Sequence, residues 1–306
     1  MGTPEFSVPS LRALLSAGKN IVLVVTQPEK PKGRGQKLSA GCVKEFALKN
    51  NLIVSEPRSL KDEGWINELR SLSLDLIVVV AYGKILPEEV LGIPRFGCVN
   101  LHASLLPSYR GASPVNWAII NGDKETGVTA IVMDKGVDTG PILLSEKAGI
   151  KEDETAGELS RKLSEVGAAL LVKAIELFLE GRIKPAPQDD RNATCAPLLK
   201  KEDGKIDWNL GAERIKNLVR GLSPWPGAYT FLRGKLLKIH SAEAQGDSGD
   251  SVDLKPGTVF EAEKGRIRVK CGSGVLEIKE LQIEGKRRLS AREFLRGYGL
   301  GKEVFV

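Results

Sequence analysis

The sequence predicts an α/β domain built on a mostly parallel sheet, followed by a small β-barrel domain. Three observations carry this expectation. Up to residue 184, short β-branched runs alternate with segments of helical periodicity, the order that lays helices on both faces of a parallel sheet. Pro185 and Pro187 then interrupt the pattern. Beyond them the runs are shorter, β-like and separated by glycine, as in small barrels.

In the first part, β-branched and apolar runs predict strands over 21–26, 76–81, 98–102, 127–133 and 142–145. Apolar residues at three- and four-residue spacing predict helices over 8–16, 40–49, 60–71 and 114–121. A long helix is expected over 155–179, opened by a Thr155-x-x-Glu158 capping box and closed by Gly181. In the last part, strands are expected over 231–240, 257–262, 266–269 and 275–283, with helices near 213–221 and 291–296. The parse is two domains, 1–184 and 201–306, joined by a linker over 185–200. One strand is missing from this plan. Gly2-Thr3-Pro4-Glu5-Phe6 reads as the turn and helix opening that follow a first strand, yet only Met1 precedes it. The neighbouring strands are expected to lose ladder partners, and the domain much of its marginal stability.

At 306 residues and 42% hydrophobic content, the chain can bury a full-sized core, which excludes disorder as its main theme. No apolar run approaches the roughly 20 residues that cross a bilayer. The start lacks a basic-then-apolar leader, so a cytoplasmic protein is expected. Cys42, Cys98, Cys195 and Cys271 are scattered singly; they read as free, mostly buried thiols, and no metal site is expected. The formal charge is +6, and its distribution is uneven. Residues 1–194 hold 24 basic against 24 acidic side chains, whereas 195–306 hold 21 against 15. The excess therefore belongs to the last third, where a solvated surface or an anionic partner would explain it.

Chemistry concentrates in Asn100-Leu101-His102-Ala103-Ser104-Leu105-Leu106-Pro107 and in the later Gly-rich turn that holds Asp138. Asn100 and His102 are two apart in a predicted strand, so the pleat turns both side chains to one face. The amide can donate to a carbonyl oxygen that gains negative charge, the imidazole can stabilise that charge or relay a proton, and Asp138 can orient the imidazole. This is the pattern of an acyl-transfer site. The plain alternative is a polar strand end with no chemistry.

The run from Asn100 to Gly111, the segment from Met133 to Gly140 and the Asn116-Trp117 helix resemble those of the formyl-folate transferase and hydrolase superfamily. Within it the chain resembles the methionyl-tRNA formyltransferase family from Gly2 onward. That narrower likeness rests on the basic loop from Gln27 to Lys37 and on Gly221-Leu-Ser-Pro-Trp225-Pro226-Gly-Ala. The resemblance implies a Rossmann-like first domain, an OB-like barrel, 10-formyltetrahydrofolate as co-substrate, and transfer of its formyl group to initiator methionyl-tRNA for translation initiation. It implies Asn100, His102 and Asp138 as catalytic residues and Ser104, Leu105, Leu106 and Pro107 as the folate-binding loop, its apolar side chains facing the ligand. Phe6 would line the methionyl pocket. Lys30, Lys32, Arg34 and Lys37, with Lys286, Arg287 and Arg288, would bind tRNA. A monomer without metal is expected, with His240 structural. Rival readings are a formyltransferase acting on a sugar nucleotide or ribonucleotide amine, a formyl-folate hydrolase, and a non-catalytic RNA-binding protein.

Overall fold

A computed structural model of the chain describes residues 1–28, 41–247, 253–262, 265–301 and 303–306. The chain divides into two compact units. Met1–Pro114, Glu125–Gly149 and Ser160–Pro197 form the first, and Val115–Lys124, Ile150–Leu159 and Leu198–Val306 form the second.

The described elements run α1 (Val8–Ser16), β1 (Val24–Val25), α2 (Cys42–Lys49), β2 (Val54–Ser55), α3 (Glu63–Ser71), β3 (Ile77–Val80), α4 (Glu88–Leu91), β4 (Cys98–His102), α5 (Pro114–Ile120), β5 (Glu125–Val132), β6 (Ile142–Gly149) and α6 (Ala156–Leu179). Local chemistry sets their ends. Helix α3 begins three residues later than its periodicity suggests because the Asp62 side chain accepts from the Trp65 N–H at 2.8 Å and caps it there. The Thr155 and Glu158 side chains cap each other's N–H reciprocally at the start of α6, and Gly181, at φ +69, ends it.

In the first unit, β1 pairs with β2 and β3 with β4 in parallel. Met1 and Gly2 lie between β1 and β3: Gly2 N donates to Val25 O, and Val80 N to Met1 O at 2.9 Å. The Met1 amine donates to Val78 O; burial lowers its pKa to about 5, so near neutral pH it donates uncharged, as a peptide N–H does. The mostly parallel plan holds through β4. From there β5 and β6 run antiparallel. Both faces of the sheet are covered: Val25 packs with Trp65, Leu69, Val79 and Val90, while its neighbour Val24 packs with Val43 and Ala47.

The second unit continues with α7 (Ala212–Gly221), β7 (Ala228–Leu232), β8 (Lys235–Gln245), β9 (Val259–Glu261), β10 (Ile267–Lys270), β11 (Val275–Ile283), β12 (Leu289–Ser290) and α8 (Ala291–Gly297). The single strand expected over 231–240 is instead a hairpin. Arg233 and Gly234 both take positive φ, +50° and +75°, the two-residue turn whose twist matches its strands. The sheet runs β7-β8-β11-β10-β9, and the residues at 303–306 close it into a barrel. Phe231 N donates to Val306 O on the β7 side, while Val259 N donates to Glu303 O and Phe305 N to Gly257 O on the β9 side. Phe305 fills the inside, buried with Trp208, Ile215, Leu237, Ile267 and Phe294.

The thiols are free, and burial is split: Cys98 and Cys271 are buried, but Cys42 and Cys195 are exposed. The expectation of mostly buried thiols fails for those two: Cys42 is the first residue of α2, and Cys195 lies outside the helices and strands. No helix among the described residues is long and apolar enough to cross a membrane.

Candidate active site

Strand β4 sorts its side chains by the pleat. Leu101 turns to the side on which α6 lies, where Gly167 lets the helix approach: a Cβ on Gly167 would fall 2.7 Å from Leu101 Cδ2. Asn100 and His102 therefore share the opposite face. Asp138 meets them there. Asn100 Nδ2 donates to Asp138 Oδ1 at 3.2 Å, and His102 Nδ1 stands 3.4 Å from the same oxygen. The other carboxylate oxygen accepts from Gly111 N–H at 2.9 Å.

The route by which Asp138 arrives is indirect. Because β5 runs antiparallel, its end lies level with the start of β4, where Met133 N donates to Cys98 O. The loop at 133–141 must therefore double back along the sheet to bring its carboxylate up to Asn100 and His102. Asp134 fastens the turn by accepting from Gly136 N and from Thr139 Oγ1 at 2.6 Å. Gly140 is pressed so close that a Cβ would fall 1.8 Å from Val132 O. Asp138 itself sits at φ +54, the left-handed region that aspartate tolerates better than most residues.

His102 is 6% exposed and Asp138 13%. The His102 Nε2 faces Tyr109 O at 2.9 Å; a carbonyl only accepts, so that nitrogen carries a hydrogen, and the ring donates to Asp138 only when Nδ1 carries one as well. Burial pushes the Asp138 carboxyl up, but the hydrogen bond and charge of His102, the Gly111 N–H and the Arg110 guanidinium outweigh it. The group is left below the usual carboxylate range. An ionised carboxylate thus anchors an amide and an imidazole on one strand face. The arrangement can supply N–H donors to an oxygen gaining charge and can pass a proton along the ring.

The other expected site residues fare differently. Ser104 is fully buried and its hydroxyl donates to Ser108 O at 2.5 Å, while Leu106 is buried too. Thr129, the cross-strand partner of His102, pins this loop by donating to Ser104 O and accepting from Leu106 N. Leu105 packs onto Gly127. So the loop, which contains a cis Leu106–Pro107 bond, turns much of its apolar surface inward, where β5 satisfies it. Leu105 and Pro107 stay half-buried, as does Phe6. Lys30, Lys32, Arg34 and Lys37 lie outside the described residues. Lys286, Arg287 and Arg288 belong to the second unit, in the turn between β11 and β12, where Arg288 pairs with Glu280 and Arg287 with Glu293. His240 hydrogen-bonds Gln282 at 3.1 Å. Among the described residues no group of three or more His, Cys, Asp or Glu could hold a metal ion.

Sequence reasoning missed several groups that build this site. The Tyr109 carbonyl and the Gly111 N–H act through main chain, which residue type does not reveal, although Gly111, at φ +121 and against Ala196 O, is a position that suits glycine alone. Ile85 and Val137 remain 76% and 54% exposed. Their segments are joined by the Lys135–Glu88 ion pair at 2.7 Å. Both are large apolar side chains left exposed on segments that this ion pair joins.

This fold and this polar cluster define a class, the acyl-group transferases. Residues 1–175 match the formyl transferase family and residues 198–299 match the formyl transferase C-terminal domain. The chain belongs to the formyl transferase family. It is 50% identical over 301 residues to the methionyl-tRNA formyltransferase of Caldanaerobacter subterraneus subsp. tengcongensis, spanning 98% of this chain and 96% of that protein. It is likewise 50% identical over 297 residues to the methionyl-tRNA formyltransferase of Thermodesulfovibrio yellowstonii, spanning 97% and 94%. Among solved structures, the N-formyltransferase from Helicobacter canadensis, in complex with folinic acid and dTDP-3-aminofucose, shares the fold. Its TM-score is 0.65 at 19% identity, over 90% of this chain and 96% of that one.

Proposed function

We propose that the chain transfers the formyl group of 10-formyltetrahydrofolate to the α-amine of methionine esterified to initiator tRNA, and so serves translation initiation. The observation that carries this reading is the Asn100–His102–Asp138 cluster, closed by contacts of 3.2 and 3.4 Å, in a chain half identical to methionyl-tRNA formyltransferases over nearly its whole length.

The amine attacks the formyl carbon, and the carbon–nitrogen bond to the folate breaks as the tetrahedral intermediate collapses. Asn100, whose amide keeps a second N–H beside the one given to Asp138, holds the oxygen that carries the transient charge, and the His102 Nε2–H is shared between Tyr109 O and that oxygen. Asp138 keeps the ring oriented and relays, through water, the proton that the amine releases to the folate nitrogen as its bond to the formyl carbon breaks. Ile85, Val137, Leu105 and Pro107 offer apolar contact for the folate ring, with Ser104 and Leu106 shaping the loop from within. Phe6 borders the methionyl side chain. Residues 1–184 form the catalytic part and 201–306 the tRNA-binding part. Lys30, Lys32, Arg34 and Lys37 take acceptor-stem phosphates, and Lys286, Arg287 and Arg288 extend the basic surface. The protein acts as a cytoplasmic monomer without metal.

The test is transfer of labelled formyl from 10-formyltetrahydrofolate to charged initiator tRNA, with charged elongator tRNA as control. Selective labelling of the initiator is expected. Equal labelling of both tRNAs, or preferred labelling of an amino-sugar nucleotide, would overturn the acceptor assignment.

A further inference from the structure

The segment at 185–197, which in sequence reads as a linker, is hydrogen-bonded into the first unit. Ala186 exchanges backbone hydrogen bonds with Ile142, and Ala196 N donates to Arg110 O at 2.7 Å. Between these two anchors stands Gln188. Its Nε2 donates to the carbonyl oxygens of Asp138, at 2.8 Å, and Gly140, at 2.7 Å. Its Oε1 accepts from Arg110 Nε at 3.1 Å and from Nη2 at 2.7 Å.

Carbonyls only accept and a guanidinium only donates, so the partners dictate which end of the amide points where. A side chain of this length must give two hydrogens at one corner and take two at the other. Glutamine does so; glutamate would set an oxygen against two carbonyls, and an aliphatic residue would leave four polar contacts unmade. The contacts also fall at a decisive place. Asp138 has its backbone at φ +54, and Gln188 holds the carbonyl of that same residue. Through Arg110, Gln188 reaches the other loop as well, since Tyr109 supplies the carbonyl facing His102 and Gly111 the N–H on Asp138 Oδ2.

We propose that Gln188 is a positioning residue for formyl transfer: it clasps the 138–140 turn to the 109–111 loop and thereby fixes the Asp138 carboxylate between Asn100 and His102. This rests on the formyl-transfer reading above. Gln188 acts through Asp138 and does not meet the substrate.

Gln188→Glu keeps an acceptor toward Arg110 and removes both donors, so it separates the two halves of the clasp. Formyl-transfer kinetics of the full chain should show kcat lowered about 100-fold, the loss expected for a displacement on the order of 1 Å, with little change in KM for the formyl-folate. The ring ¹⁵N resonances of His102 should shift in the same variant, whereas those of His240, the only other histidine, should not. Gln188→Met, similar in length but without either polar end, provides a second variant should glutamate unfold the loop. A role confined to tethering the segment to Arg110 predicts wild-type kcat and unshifted His102 signals in Gln188→Glu, and that result overturns the proposal. A wild-type chain that moves no formyl group defeats the functional reading instead, and the His102 resonances then judge the positioning by themselves.

Discussion

Oδ1 of Asp138 serves Asn100 and His102 at once while Oδ2 is taken by Gly111, so removing the carboxylate frees both partners together. Asn100→Ala and Asp138→Ala should each lower kcat by roughly 100-fold or more, read from formyl transfer at saturating folate. Near-wild-type turnover in either would remove that residue from the mechanism. The carboxyl is held below its ordinary range in the fold, which fixes a sign for acid. A depressed carboxyl contributes stability above its unfolded pKa of about 3.9, and the contribution disappears as pH falls through the lower folded value. Melting temperature should therefore decline below about pH 4 less steeply in Asp138→Asn than in wild type; parallel curves would show that no linkage exists. The pair Asn100 and His102 was legible because a strand alternates every two residues. Gln188 was not, because its acceptors are carbonyls 48 and 50 residues away and no periodicity records such a contact.

Elements with strong local signals came out where the sequence placed them: α1, β4 and β11 match residue for residue. Each has an unbroken apolar pattern bounded by a cap, glycine or proline. The β7–β8 hairpin was fused into one strand because an arginine at positive φ gives no turn signature of its own. Barrel closure was equally hidden, since it depends on the pairing of 303–306 with strands more than forty residues distant. That closure has a measurable cost of removal. Phe305 is 2% exposed and packs on Trp208 with ring centroids 5.8 Å apart. Phe305→Ala should destabilise the second unit by about 3–5 kcal/mol in denaturant melts. A loss under about 1 kcal/mol would mean that the closing segment contributes little to the barrel core.

For the whole molecule, charge divides more usefully than composition. The basic excess lies in 195–306, yet Arg287 and Arg288 already face carboxylates, which tempers what they can offer to a phosphate. The sequence segment with Lys30, Lys32, Arg34 and Lys37 should accordingly contribute more of the proposed affinity for tRNA. Arg34→Ala should weaken binding and flatten the plot of log K against log salt by about one unit of slope; an unchanged slope would deny the contact. The sequence pattern changes at Pro185, whereas the first compact unit runs on to Pro197 and the second also takes Val115–Lys124 and Ile150–Leu159. The bonding of 185–197 into the first unit was not legible in the sequence, because irregular backbone carries no period. One architectural detail also limits how such a chain can vary in length. The stretch from Met133 to Asp138 must climb from the level of Cys98 to that of His102, and each residue of extended chain reaches about 3.4 Å. A change of length there would have to be absorbed by the turn that Asp134 fastens through Gly136 N and Thr139 Oγ1, which leaves this loop less slack than one held only at its two ends.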